Sequence, residues 1–122
     1  MIGAGASGLA TALEFKTRGH EVSVFEKGSV PGGIWAYSAE IETDPLGVKP
    51  SERVYSSLYK HLRTNLPSDI MAFKGFPFDS SGGGDPSWPR FPHHSCVYEY
   101  LIRFIAAYDL GPLIQYDCPV EQ

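Results

Sequence analysis

Gly3-Ala4-Gly5-Ala6-Ser7-Gly8 is spaced as GxGxxG. Glycine at the first position permits a tight turn, at the second leaves the backbone open to a closely approaching group, and at the third lets a following helix pack near the sheet. A helix that begins there offers free N–H groups and partial positive charge, which suit a phosphate. Glu26 follows Gly8 at close to the roughly 20-residue interval at which a carboxylate accepts hydrogen bonds from a ribose. The hexapeptide alone is a weak signal, because tight turns need glycine in any case. With a helix, then a strand, then the terminal acid in register, it specifies a dinucleotide site.

The acid narrows the ligand. A carboxylate beside the adenosine ribose repels a 2′-phosphate, so the site is expected to take FAD or NAD rather than NADP. Pro31-Gly32-Gly33 follows, then Ile34-Trp35. Two adjacent glycines let a loop run against a flat cofactor, and Trp35 supplies a large apolar wall. Read alone, this segment is a turn before a core tryptophan. After a GxGxxG…Glu unit, a second glycine pair points to FAD.

The elements that must position these residues follow from periodicity. Met1-Ile2 reads as the end of a strand, Ala6 to Arg18 as a helix with Leu9 and Leu13 on one face and Gly19 as its stop, and Glu21 to Glu26 as a second strand. Ser51 is placed to cap a short helix carrying Val54, Leu58 and Leu62. Asn65 to Asp79 is expected to be irregular, and Ser80 to Pro86 reads as a flexible surface loop. From Ser95 to Asp109 an amphipathic helix presents Val97, Leu101, Phe104, Ile105 and Tyr108, with Gly111-Pro112 ending it, and Leu113 to Tyr116 begins another strand. Strand, helix, strand, helical insertion and strand suit a parallel sheet with helical crossovers. The expected fold class is therefore α/β, a three-layer Rossmann-like FAD-binding domain, with residues 1–122 as one partial domain.

Composition agrees with a soluble globular class: 43% apolar, 20% charged and a net charge of -4. No basic run suggests nucleic acid, and no apolar run approaches the roughly 18 residues of a membrane span. No secretory leader is visible. Cys96 and Cys118 do not form a close pair and suit a reducing, cytoplasmic setting. No His/Cys/Asp spacing suggests a metal site. His20 and His61 read as surface residues, and Trp88 to Phe91 as packing.

Four segments carry a resemblance: GAGASGLATA at Gly3–Ala12, VFEKGSVPGGIWAY at Val24–Tyr37, VYSSLYKHLRTNLPSDIMAFKGFPF at Val54–Phe78, and FPHHSCVYEYLIRFI at Phe91–Ile105. In order and spacing they resemble the flavin-containing monooxygenases, and the third and fourth are the discriminating ones. The Thr64-Asn65-Leu66-Pro67 version is similar to plant, fungal and invertebrate members. The resemblance implies that FAD, reduced by NADPH, reacts with dioxygen to form a C4a-hydroperoxyflavin, which gives one oxygen atom to an amine nitrogen or a sulfide. It implies that Gly3, Gly5, Ala6, Ser7, Gly8, Glu26, Gly33, Ile34 and Trp35 hold FAD. It also implies that Thr64 and Asn65 lie beside the isoalloxazine and nicotinamide, with the Asn65 amide steadying the hydroperoxide. His94 resembles a recurring family position without an assigned role.

Only Met1 and Ile2 precede the first glycine, and a second GxGxxG for NADPH is absent. The chain is thus expected to be truncated at both ends, equivalent to about the first quarter of such an enzyme, with the main NADPH site beyond residue 122 and no turnover on its own. Membrane association through the missing sequence stays open. Two other readings stay open as well. One is a non-catalytic FAD- or ADP-binding remnant. The other is a different two-dinucleotide flavoprotein, such as an amine oxidase or a disulfide reductase; the latter needs a CxxxxC pair after Glu26, and none occurs.

Overall fold

A computed structural model of the chain describes residues 1–40, 46 and 56–121. Leu9 and Ala12 are fully buried on one face of the first helix, α1 (Ala6–Thr17). That helix stops where Gly19 takes a positive φ of 81°, a conformation that favours glycine. The chain then enters β1 (Val24–Phe25), which pairs in parallel with β2 (Ile114–Gln115), while Ile2 bridges Phe25 in parallel on the other side. The spatial order Ile2, β1, β2 with helical crossovers is that of a Rossmann-like α/β unit.

Both strands are shorter than the sequence suggests. The backbone pairing nevertheless runs on past their ends: the Gly3 N–H donates to the Phe25 carbonyl at 2.8 Å, and the Cys118 N–H to the Glu26 carbonyl at 2.9 Å. The ladder is irregular because the chain must turn away at Gly3 (φ 90°) and at Asp117 (φ 53°).

A short helix, α2 (Ser68–Met71), interrupts the stretch expected to be irregular. The longest helix, α3 (His94–Ala107), buries His94, Val97, Tyr100, Leu101 and Phe104. Ile105 and Tyr108 are partly buried against the same core. Its end differs from expectation. Asp109 takes the left-handed turn (φ 50°) assigned in sequence to glycine, and the Lys16 ammonium donates to the Tyr108 and Asp109 carbonyls at 2.9 and 2.7 Å. A cation from α1 thus satisfies the C-terminus of α3. Gly111 instead opens a 3-10 turn, Gly111–Leu113.

Of the helix expected from Ser51, Ser51 and Val54 lie outside the described residues. Leu58 and Leu62 are not helical. The Leu62 N–H closes a turn on the Tyr59 carbonyl, and Arg63 then bridges His93 in antiparallel sense. Cross-chain backbone bonding wins there over the i, i+4 apolar pattern.

The Ser80–Pro86 loop is also not what glycine content suggests. Gly83 and Gly84 are buried. A Cβ at Gly83 would stand 2.2 Å from the Phe76 ring, and one at Gly84 2.0 Å from the Phe78 carbonyl oxygen. Asp79 accepts from the Ser81 N–H and hydroxyl, which hold its carboxyl below the usual range, and Asp85 does the same with Ser87. The glycines serve close approach, not freedom.

That loop closes over an aromatic cluster centred on Tyr100, which is 1% exposed. The Tyr100 hydroxyl donates to the Phe76 carbonyl at 2.6 Å and accepts the Phe73 N–H at 2.8 Å, while its ring stacks on Phe78. Tyr100→Phe orphans both backbone groups and is expected to cost about 1–3 kcal/mol. Burial, partly offset by the Phe73 N–H, raises this phenol above its ordinary value. The folded state therefore holds the proton more tightly than the unfolded state. The resulting stability is full below about pH 10 and is lost as pH rises through the folded value. Denaturant melts should show the Phe variant weaker at neutral pH but less sensitive to alkali; equal alkaline sensitivity in both proteins would contradict this.

Candidate dinucleotide site

The glycine loop is built by contact. A Cβ on Gly8 would fall 2.0 Å from the Gly3 carbonyl oxygen, so the third glycine brings α1 against the turn that leaves the first strand. Gly5 is the N-cap of α1, with no side-chain cap and no acid in the first turn. The first N–H groups of that helix are left for an anion. The Gly5 backbone faces that of Gly33, and a Cβ on Gly33 (φ 58°) would meet the Gly5 Cα at 3.1 Å. The second glycine pair is thus folded onto the first, and the Gly32 N–H donates to the Ala4 carbonyl at 2.9 Å. Tyr98 of α3 packs beneath Gly32, leaving no room for a side chain there.

Glu26 sits at the centre. It is 8% exposed, and its two carboxylate oxygens accept from the Ala4 N–H at 2.7 Å and the Gly28 N–H at 2.9 Å. Each oxygen keeps lone-pair capacity for a further donor. The same bonds tie the glycine loop to the turn after β1, so this residue shapes the site as well as lining it. Behind it, burial and then the charges of Tyr98 and Glu26 raise the Tyr116 phenol.

Three adjoining hollows meet at Gly33. One, of about 390 Å³, runs along Gly3, Gly5, Ala6, Ser7 and Gly8 to Ile34 and Trp35. A second, of about 410 Å³, lies between the glycine loop, Glu26 and Cys118-Pro119-Val120. A third, of about 450 Å³, passes Glu26, Lys27 and Ile34. Ile34 is 58% exposed on this surface, while Trp35 is partly buried against the core. Gly3, Gly5, Ala6, Ser7, Gly8, Glu26, Gly33, Ile34 and Trp35 are thereby brought to one groove.

Thr64 and Asn65 do not line these hollows. Thr64 is buried, with its N–H donating to the Pro92 carbonyl at 3.0 Å and its hydroxyl to the Leu66 carbonyl at 2.7 Å. Asn65 is exposed on the same turn, and its side chain makes no hydrogen bond among the described residues. Sequence reasoning missed Lys27 and the 118–120 segment. Their signal was the parallel pairing itself, since a strand paired beyond Glu26 must deliver its following residues to the mouth of the groove.

An uncapped helix start against two glycine turns, with a buried carboxylate one strand away, defines an α/β dinucleotide-binding domain, and the residues present fit such a cofactor. The chain belongs to the flavin-binding monooxygenase-like family, whose model matches residues 1–122. Flavin-containing monooxygenase FMO GS-OX-like 2 of Arabidopsis thaliana is 43% identical, over 98% of this chain and 26% of that protein. A shorter relative from the same plant, FMO GS-OX-like 11, is 43% identical over 98% of this chain and 73% of its own length. Among solved structures, S-allyl-L-cysteine S-oxygenase from Allium sativum superposes with a TM-score of 0.84 at 44% identity, over 95% of this chain and 26% of that one. OTEMO in complex with FAD and NADP shares the fold at 20% identity, with a TM-score of 0.62 over 95% of this chain and 18% of that one. The chain spans about a quarter of the length of the first curated relatives it matches. The expected family is borne out, and with it the expected flavin cofactor. No helix among the described residues is long and apolar enough to cross a membrane.

Proposed function

We propose that residues 1–122 form the FAD-holding domain of an NADPH-dependent monooxygenase that transfers one oxygen atom from dioxygen to a soft nucleophile, an amine nitrogen or a sulfide sulfur. The observation that carries this reading is the Glu26 carboxylate, buried at the junction of the glycine loop and the groove. FAD supplies the redox and oxygen chemistry when bound. The chain's own residues bind and orient it. The N-terminus of α1 and Gly5 receive the pyrophosphate, Glu26 the ribose hydroxyls, the 118–120 segment the adenine, and Gly33, Ile34 and Trp35 the flavin side. Thr64 and Asn65 are assigned to the reacting end on the strength of the family resemblance. A cytoplasmic setting fits the two free thiols, Cys96 and Cys118. One GxGxxG unit serves one dinucleotide, so NADPH turnover is expected of the complete enzyme and not of residues 1–122.

Glu26→Ala tests the reading. Loss of charge-assisted bonds to the ribose is expected to weaken FAD retention by about 1.5–3 kcal/mol, roughly ten- to a hundredfold. Flavin released on dilution is the measurement, with Glu26→Gln alongside. Gln keeps the shape but turns an amide NH₂ toward a backbone N–H, so it should also bind FAD poorly. Unchanged retention in both variants would remove Glu26 from the site.

A further inference from the structure

His94 opens α3 and is 5% exposed. Its Nε2 lies 3.3 Å from the Lys60 carbonyl oxygen, which can only accept, so Nε2 carries the proton. Nδ1 is then a bare lone pair. It is the buried side-chain polar atom without a partner among the described residues. Neighbouring His93 is spent differently: its Nδ1 accepts from the Ser95 N–H, and its Nε2 donates to the same Lys60 carbonyl at 2.8 Å. A buried polar atom left unpaired costs stability, so a residue kept in that state calls for a reason.

The contacts of His94 supply one. On one side its N–H donates to the Leu62 carbonyl at 3.1 Å and its ring to Lys60, two residues apart on the turn that leads to Thr64 and Asn65. On the other side the Tyr37 ring, just after Gly33-Ile34-Trp35, lies with its centroid 5.1 Å from the imidazole. Tyr98, one helical turn along the same face of α3, holds Gly32. We propose that His94 is a positioning residue that fixes the Asn65 turn relative to the Gly33–Tyr37 segment, and so sets the gap in which the flavin ring lies. This rests on the assignment of both segments to the flavin side.

The test uses the full chain with His94→Gln, His94→Asn and His94→Phe. The Gln amide nitrogen reaches the position of Nε2 and can donate to Lys60; the shorter Asn reaches only the Nδ1 position. Long-range proton–nitrogen NMR should find His94 as a single tautomer, protonated at Nε2. All variants should take up FAD with the stoichiometry of the parent, because the glycine loop and Glu26 are untouched. The visible circular dichroism of the bound flavin should be lost or shifted in the Asn and Phe variants and restored in Gln. A proton on Nδ1, a flavin signal indifferent to all three changes, or a Gln variant as altered as Asn would overturn the proposal. A variant that unfolds is recognised by its far-ultraviolet dichroism, and the Gln–Asn contrast then decides. A parent chain that takes up no FAD, with the tautomer as stated, overturns the underlying site reading and the proposal with it.

Discussion

Gly8→Ala is expected to abolish the folded glycine loop, whereas Gly5→Ala should leave the fold intact and weaken FAD binding. At Gly8 the added methyl would stand 2.0 Å from the Gly3 carbonyl oxygen and 3.1 Å from its carbon. Both are backbone atoms of a turn whose N–H is tied to Phe25, so nothing nearby can swing aside. The helix must leave the turn, and with it go the burial of Leu9 and Ala12. A loss above about 4 kcal/mol follows, a large share of the roughly 5–15 kcal/mol available to an ordinary domain. At Gly5 the backbone is extended (φ -78°, ψ -178°), open to any residue, and the nearest atom to a new Cβ is the Gly33 Cα at 3.6 Å. The melt should therefore move by no more than about 1 kcal/mol. On the proposed placement of FAD, that Cβ stands where the pyrophosphate approaches the backbone, and FAD uptake should fall. Thermal melts and flavin titrations of both variants are the measurement. A Gly5 variant that binds FAD like the parent would move the phosphates elsewhere.

The same two glycines show what sequence could reveal. Spacing placed Gly3, Gly5, Gly8 and Glu26 at their stations because local sterics dictate those positions: a positive φ at Gly3, a helix start at Gly5, a close approach at Gly8. Composition misled at Ser80–Pro86, where three glycines signalled freedom. Their lack of side chains instead lets the loop press on Phe76 and Phe78, a tertiary fact that local sequence does not encode. Periodicity failed at Leu58 and Leu62 for a related reason, since the residues that claim this backbone lie some 30 positions away, at Pro92 to His94. It erred by a few residues at the end of α3, where Lys16 of α1 supplies the cap. The role proposed for Asn65 comes from family resemblance, because neither spacing nor periodicity marks a single exposed amide on a turn.

Asn65→Ala should leave the protein folded and decouple the enzyme. Were Asn65 a turn-builder, its amide would bond to neighbouring backbone. The turn is closed instead by the Thr64 hydroxyl on the Leu66 carbonyl and by the Thr64 N–H on Pro92, while the Asn65 side chain stays exposed. The melting transition of the alanine variant should thus stay within about 0.5 kcal/mol of the parent. A free amide offers both donor and acceptor to a ligand. Oxygen activated at a flavin escapes as hydrogen peroxide unless it is hydrogen-bonded and kept from water. Loss of one well-placed donor costs about 2.7–4 kcal/mol, or 10²–10³ in rate. In the complete enzyme, flavin reduction by NADPH should persist, oxygenated product should fall by that factor, and peroxide should rise to match the NADPH consumed. A variant that still couples NADPH use to product would return Asn65 to the role of a loop residue. One that no longer retains flavin would make its role binding, and the oxygen-holding assignment would be wrong.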